Sequence, residues 1–396
     1  MMVREDFPIF SAHPELVYLD TAASAQKPAR VIDAEANYYR ESYANIHRGV
    51  YDLSVQSTER YDRARERVRR FFGARRAEEI VFVRGATEAI NLVAWAWARR
   101  HLRAGDEVLI SSLEHHANIV PWQLLLEDQG IGFKVAQHAA DHTFDLDAFT
   151  EALSPRTKLV SITHIANATG TLVPVEECIR RAKTVGARVL IDGCQSAPRL
   201  PIDLADLDCD FFVMSGHKVY GPTGIGILYG KEERLDEMGP WQGGGDMIDQ
   251  VTFARSTYAM PPYRFEAGTP NIAGTVGLDA ALQYLDDITM ARVEEHERAL
   301  TQDCVARLSE MGGVRVFSGN LHGIVSFAVS GVPPFDLATL LNESGVAIRA
   351  GLHCAQPLVE SIDPSGIARA SFGIYNSVRD IDALCEAVER ARSMFA

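Results

Sequence analysis

Hydrophobic residues recur with helical spacing in some parts of the chain and form short, strand-like apolar runs in others. Changes between these two patterns divide the chain into stretches. Near the start, a short apolar strand at 17–20 precedes two segments with helical spacing at 31–43 and 58–72. From residue 79, short apolar runs alternate with helically spaced segments. The strands predicted in this stretch are 80–84, 107–111, 133–136, 159–163, 189–192, 211–215 and 225–229, with a helix at 87–98 and another at 119–129. This alternation implies right-handed crossovers and a mostly parallel, buried sheet.

The pattern changes again at about residue 275. One long helical pattern at 275–311 is followed by short apolar runs and two further helices, which indicates an α+β segment with its own core. The elements predicted there are strands 314–317, 324–329 and 346–349 and helices 336–343 and 378–394. We therefore predict a large α/β domain at 16–274 and a small α+β domain at 275–396, to which the N-terminal segment 1–15 belongs.

Composition narrows the class of protein. The chain has 396 residues, of which 47% are hydrophobic and 23% charged, as in ordinary soluble globular proteins. A net charge of −14 argues against a general surface for nucleic acid or anionic membrane. Neither a signal peptide nor a membrane span is predicted. The six cysteines form no CxxC pair, so we predict no metal site, free thiols and a cytoplasmic location.

One lysine stands out because of its position. The apolar run 211–214 leads into Ser215-Gly216-His217-Lys218, and a glycine-spaced loop at 221–226 follows. A lysine at the end of a buried strand is placed to lose water, which favours a nucleophilic amine. The alternative is a surface lysine in a loop between strands. We interpret Lys218 as a Schiff-base lysine under a phosphate-bearing cofactor.

Further polar residues follow other predicted strands, where ligands gather in parallel sheets. Thr87 at a helix start indicates a phosphate seat or a plain cap. His115 suits stacking on a ring or proton transfer, or is a solvated loop residue. Asn167 alone indicates only a turn. Asp192 would keep a pyridine nitrogen protonated, or would cap a helix.

Together these residues favour pyridoxal 5′-phosphate over a nucleotide. NAD binding would require GxGxxG after an early strand, opening a helix, and no such motif occurs near the amino-terminal strands. The glycines at 221–226 lie between two strands instead.

Five longer runs resemble one family. They are 19–28 (LDTAASAQKP), 114–122 (EHHANIVPW), the lysine stretch, 265–271 (FEAGTPN) and 349–357 (RAGLHCAQP). With these runs the chain resembles fold-type I pyridoxal-phosphate enzymes of the class V aminotransferase group. More narrowly, it is similar to group II cysteine desulfurases of the SUF and CSD type, over nearly its whole length.

The resemblance implies a role for each residue. Lys218 would bind the cofactor as an imine, His115 would stack on the ring and assist acid–base steps, and Asp192 would pair with the ring nitrogen. Gln195 would contact the ring oxygen. Thr87, Ser215 and His217 would hold the phosphate, and Thr269 would reach the phosphate bound by the partner subunit of a homodimer. Asn167, Arg369 and Arg349 would bind substrate, with Arg369 on its carboxylate.

Cys354 selects the chemistry that the resemblance implies. It would take sulfur from L-cysteine as a persulfide and release L-alanine, for uses such as iron–sulfur cluster assembly. The positive charge of Arg349 would favour the thiolate form of Cys354. The alternative interpretation is that Cys354 is a small, buried, apolar residue without a chemical role. The short loop implies a separate sulfur-acceptor protein of the SufE, CsdE or SufU type. Rival functions are a selenocysteine lyase, a cysteine sulfinate desulfinase, a true aminotransferase and a non-catalytic sulfur-trafficking scaffold.

Overall fold

The computed structural model describes residues 3–317 and 322–395. Residues 1–2, 318–321 and 396, which fall within the predicted domain ranges, lie outside the described residues. Within the described ranges, no helix is both long and apolar enough to cross a membrane.

The described strands form one large sheet, one smaller sheet and two short pairs. The strands are β1 Val17–Tyr18, β2 Ile80–Val83, β3 Glu107–Ser111, β4 Gly132–Ala136, β5 Thr157–Thr163, β6 Arg188–Asp192, β7 Phe211–Ser215, β8 Gly226–Gly230, β9 Ile248–Val251, β10 Ser256–Tyr258, β11 Val314–Val316, β12 Ile324–Val329, β13 Val346–Ala347, β14 Arg349–Gly351 and β15 Ile367–Ser371.

The described helices cover the sheets and connect their strands. They are α1 Pro8–Ala12, α2 Ala29–Asn37, α3 Asp52–Phe71, α4 Ala86–Leu92, α5 Arg99–His101, α6 Val120–Gln129, α7 Leu146–Ala152, α8 Val175–Thr184, α9 Leu204–Leu207, α10 Glu232–Glu237, α11 Ile272–Ile288, α12 Met290–Glu310, α13 Pro334–Glu343, α14 Gln356–Ile362 and α15 Val378–Met394. A π-helical segment, Tyr38–Ser42, continues α2, and another, Val93–Ala98, joins α4 to α5.

The large sheet has the order β2-β8-β7-β6-β5-β3-β4 among the described residues. Neighbours from β7 to β4 pair in parallel, and only β8 runs antiparallel to both of its neighbours. Alternate residues of one strand enter different apolar clusters, Val189 and Ile191 on one side and Leu190 on the other. Both faces are therefore covered, as a parallel sheet requires. The predicted α/β class and mostly parallel sheet are confirmed.

The smaller sheet belongs to the C-terminal part and has the order β11-β12-β15-β14, antiparallel throughout. Its apolar residues form a cluster with α12, α13 and α15. A large α/β part and a smaller α+β part are thus present. The boundary at residues 274 and 275 falls inside α11 and stays a prediction.

Two element predictions in this part are wrong. The predicted helix 275–311 is two helices, because Thr289 has a φ of 75° and breaks the chain between α11 and α12. The predicted strand 346–349 is divided: β13 pairs in parallel with β1, whereas β14 joins the smaller sheet beside β15. The strand β15 was not predicted, although it lies between two others in that sheet.

Candidate active site

A cavity of about 160 Å³ opens where strands of the large sheet end. Most of the residues singled out in the sequence line it: Thr87, His115, Asn167, Asp192, Gln195, Ser215, His217, Lys218, Arg349 and Arg369. The fold therefore brings together residues that lie far apart along the chain. Cys354 and Thr269 do not line the cavity.

Lys218 ends a single 3-10 turn, Gly216–Lys218, that follows β7 directly. Ser215, the last residue of β7, accepts a hydrogen bond at its Oγ from the backbone N–H of Ala86 at 2.9 Å. This bond places the start of α4 beside the lysine turn. The helix begins at Ala86 with Gly85 as its N-cap, so the expectation that Thr87 caps the helix is wrong.

Asp192 ends β6 as a buried carboxylate, and its Oδ1 accepts the backbone N–H of Cys194 at 2.9 Å. His115 lies in the loop after β3, and its Nδ1 accepts the backbone N–H of Ala117 at 3.0 Å. Burial, and then the charge of Lys218, lowers the pKa of His115 to about 4. At neutral pH the imidazole is therefore neutral, with its proton on Nε2.

Arg369 is buried and projects from β15 of the smaller sheet into the cavity. Its Nη1 donates to the backbone oxygen of Asn167 at 2.7 Å, and its Nη2 donates to Oδ1 of Asp20 at 3.1 Å. Its Nε has no hydrogen-bond partner among the described residues. Burial lowers the pKa of Arg369 to about 10. A guanidinium with a spare buried donor is suited to an anionic ligand.

Asn167 joins the two parts of the molecule. Its Nδ2 donates to the backbone oxygen of His353 at 2.6 Å, while its Oδ1 is buried without a partner in the described part of the chain. Its backbone oxygen is the acceptor for Arg369. Asn167 therefore holds the arginine and the segment before Cys354 in one arrangement.

Cys354 lies in the loop between β14 and α14 and is half-buried. Its Sγ lies 3.5 Å from Nη2 of Arg349. His353 and Cys354 have φ values of 50° and 55°, which non-glycine residues adopt at a cost. His116 holds this loop: its N–H donates to the Cys354 oxygen at 2.7 Å, and its Nε2 accepts the N–H of Gln356 at 2.9 Å.

The remaining cysteines are placed differently. Cys178, Cys194, Cys209 and Cys304 are buried, and only Cys385 is half-buried like Cys354. Burial raises the pKa of Cys194 to about 12, although it lines the cavity. Partial exposure next to the cavity-lining residues Arg349 and His353 thus distinguishes Cys354, whereas Cys385 lies near Arg307 and away from the cavity.

Thr269 is exposed and lines a second cavity with Arg84 and Trp241. The loop that carries it is anchored by Glu266, whose carboxylate forms a buried ion pair with Arg65 at 2.8 Å. Glu266 also accepts the backbone N–H of Phe82 at 2.7 Å. The start of this loop is therefore fixed at Glu266, and Thr269 lines the second cavity rather than the one that contains Lys218.

Two buried or partly buried carboxylates next to the site, Asp20 and Glu114, were not predicted from the sequence to act there. Asp20 was read only as the end of a strand, yet it pairs with Arg369 across the two parts of the molecule. Glu114 is fully buried, and its carboxylate accepts bonds from Ser111, Asn118 and the backbone of Thr163. The only available signal was their position inside the matching runs 19–28 and 114–122.

Comparison with known proteins agrees with this arrangement. The Aminotransferase class-V family model matches residues 17–384. The chain belongs to this family. It is 46% identical to "Cysteine desulfurase" of Pectobacterium atrosepticum over 98% of this chain and 97% of that protein. It is 48% identical to "Probable cysteine desulfurase 1" of Mycobacterium leprae over 98% of this chain, and it spans 64% of that protein's length.

A solved structure of this family is also closely similar. The cysteine desulfurase CsdA of Escherichia coli, in an S-sulfonic acid form, superposes with a TM-score of 0.94 at 40% sequence identity. The match covers 99% of this chain and 98% of CsdA. The fold predicted from the sequence is therefore that of a class-V aminotransferase family member.

Proposed function

We propose that this chain is a pyridoxal 5′-phosphate-dependent cysteine desulfurase that converts L-cysteine to L-alanine and receives the sulfur on Cys354. The observation that carries the proposal is the half-buried thiol of Cys354, 3.5 Å from Arg349, beside a cavity that contains Lys218 and Asp192. The names of the relatives with 44–48% identity support the same activity.

The residues that line the cavity fit pyridoxal 5′-phosphate. Asp192 is a buried carboxylate with one oxygen satisfied by the backbone, which suits it to a protonated ring nitrogen. Ser215 accepts the Ala86 N–H and lies 3.8 Å from Sγ of Cys194, and its hydroxyl could donate to a phosphate oxygen in place of this weak sulfur contact. Thr87 and His217 line the same cavity. When bound, the cofactor supplies an electron sink for negative charge at the substrate Cα.

The chain's own residues would bind the substrate and move its protons. The buried guanidinium of Arg369 would pair with the substrate carboxylate through its free Nε, with Asn167 holding it in place. Lys218 would hold the cofactor and carry the proton taken from the substrate Cα. His115 is neutral and carries its proton on Nε2. It would therefore donate a hydrogen bond to the cofactor ring or to the reacting group, and it would not repel a positive charge nearby.

Sulfur transfer would occur between two sulfur atoms. The anionic sulfur of Cys354, beside the Arg349 guanidinium, would bond to the substrate sulfur as the substrate C–S bond breaks. The electron pair of that bond stays with the substrate carbon, which takes up a proton and leaves in alanine. The outer sulfur remains on Cys354 as a persulfide.

A matched pair of cysteine variants tests this proposal. Cys354→Ser should retain the visible absorbance of the bound cofactor and lose alanine production from cysteine. Cys385→Ser removes the other half-buried thiol, on α15, and should retain both. Undiminished alanine production by Cys354→Ser would refute the sulfur-transfer role of this residue.

We also propose that the chain is a cytoplasmic homodimer and delivers sulfur to a separate acceptor protein, for uses such as iron–sulfur cluster assembly. Large apolar side chains at Tyr43, Val50, Tyr51 and Phe253 are exposed, which supports a partner surface. The exposed position of Thr269 supports a contact with cofactor bound by the partner subunit. Size-exclusion chromatography with light scattering tests the dimer, and persulfide transfer to candidate acceptor proteins tests the delivery.

A further inference from the structure

Gln195 is held from two sides below the proposed cofactor cavity. It lies in the turn after β6 and is buried. Its Nε2 donates to the backbone oxygen of Ala22 at 2.8 Å, and its Oε1 accepts from Nη1 of Arg199 at 2.8 Å. The same Nη1 donates to the backbone oxygen of Gln195 at 2.9 Å. Both ends of the amide are therefore bonded to neighbouring protein groups.

These two partners determine which way the amide faces. A guanidinium has only donors, so the Gln195 atom that meets Arg199 must be the oxygen. A backbone carbonyl only accepts, so the atom that meets Ala22 must be the nitrogen. The Gln195 nitrogen carries two hydrogens, and one remains after the bond to Ala22. The residue thus offers an N–H donor to an oxygen acceptor in the cavity.

Arg199 is itself fixed by residues outside the cavity. Its Nε lies 3.2 Å from Oε2 of Glu297 on α12, and both side chains are almost fully buried. Neither atom has a hydrogen-bond partner among the described residues, so this contact is an ion pair whose N–H is not directed at the oxygen. Tyr220 donates to the other oxygen of Glu297 at 3.4 Å. Burial raises the pKa of Glu297 to about 7.

The backbone of Gly323 packs closely against the ion pair. A Cβ added to Gly323, just before β12, would lie 2.3 Å from Nε of Arg199 and 2.6 Å from Oε2 of Glu297. Gly323 has a φ of +69°, and its N–H donates to Thr301 on α12 at 3.0 Å. The pair is therefore enclosed between the turn that carries Gln195, a helix and the start of a strand of the smaller sheet.

We propose that the Arg199–Glu297 pair is a positioning pair, which orients Gln195 so that its N–H rather than its C=O meets the ring oxygen of the cofactor. This inference rests on the proposed function, because that function supplies a ring oxygen at this place. Neither residue lines the cavity, so both act through Gln195. The smaller part of the molecule thereby contributes to cofactor binding through α12.

A mutant cycle tests the proposal in cofactor-stripped protein. Arg199→Met combined with Glu297→Met replaces the pair without leaving a buried charge unpaired. We expect this variant to bind pyridoxal 5′-phosphate roughly three- to tenfold more weakly, the range for one misdirected hydrogen bond, in titrations followed by visible absorbance. In a Gln195→Met background, the same replacement should change the dissociation constant less than about twofold.

Thermal unfolding of each stripped variant verifies that it is folded. If the double variant does not fold, Arg199→Lys replaces it in the mutant cycle. Lysine keeps the positive charge but lacks the planar guanidinium that donates to Gln195. Equal losses of affinity in both backgrounds would overturn the inference and leave the proposed function intact. A wild-type chain that binds no pyridoxal 5′-phosphate would overturn the proposed function and this inference together.

Discussion

Replacing Arg349 should slow the reactions of Cys354 selectively. The guanidinium lies 3.5 Å from the sulfur. At this distance, two full charges in an effective dielectric of about 20 attract by roughly 5 kcal/mol. Both side chains are half-buried, so solvent screening leaves about 1.5 kcal/mol as a realistic contribution. The sulfur carries only about half of its charge in the transition state of alkylation, so about half of this energy affects the rate. We therefore expect Arg349→Gln to lower the alkylation rate of Cys354 roughly three- to fourfold at neutral pH.

The alkylation assay has a control within the same molecule. Iodoacetamide modification is followed peptide by peptide, and the half-buried Cys385 on α15 serves as the reference thiol. Arg349→Lys keeps a positive charge and should lose less of the Cys354 rate. An unchanged Cys354 rate in Arg349→Gln would refute the reasoning. An equal decrease at Cys385 would show a general change in structure instead.

Three further predictions concern substrate, pH and packing. Arg369→Lys loses the planar buried fork and should raise KM for cysteine roughly 10- to 100-fold in steady-state assays, with the cofactor still bound. Burial raises the pKa of Glu114 from 4.5 to about 8, so its contribution to stability is complete below pH 4.5 and is lost as pH rises to about 8. The free energy of unfolding of Glu114→Gln, from urea titrations, should therefore improve relative to wild type by up to about 5 kcal/mol across that range, and parallel pH curves would contradict this. Gly323→Ala forces a Cβ onto the Arg199–Glu297 pair and should lower the free energy of unfolding by about 2 kcal/mol or more, whereas Gly331→Ala, at a similar φ with open space around it, should cost less.

The strands of the large sheet could be predicted because each one is marked by its own local run of apolar residues. The strand Glu107–Ser111 and the helix Val378–Met394 have the predicted bounds, since apolar periodicity and polar flanks delimit both. The break at Thr289 was not predictable, because neither glycine nor proline marks it. The strand Ile367–Ser371 was hidden by Arg369 at its centre, where Asn167 and Asp20 accept hydrogen bonds from the two Nη atoms of the buried guanidinium.

The candidate site was predictable where a polar residue lies at the end of a strand or in the turn that follows it. Lys218 and Asp192 are of this kind, and the sheet brings them to one cavity. Residues that act through tertiary contacts carried no such signal. Arg199 and Glu297 lie far apart along the sequence, and only the fold buries them against each other. Thr87 was predicted to cap α4, but Gly85 takes that position, because Ser215 binds the first amide of the helix.

Adjacent histidines in the loop after β3 connect the two halves of the proposed chemistry. His115 faces the cavity, whereas His116 bonds both to the backbone of Cys354 and to that of Gln356. His353 and Cys354 both have positive φ values, and the contacts with His116 stabilise this backbone conformation. The loop after β3 in the large sheet therefore helps to position the proposed sulfur nucleophile, although Cys354 belongs to the smaller part of the chain. Because a short loop held at both ends has little reach, the proposed acceptor protein would have to approach Cys354.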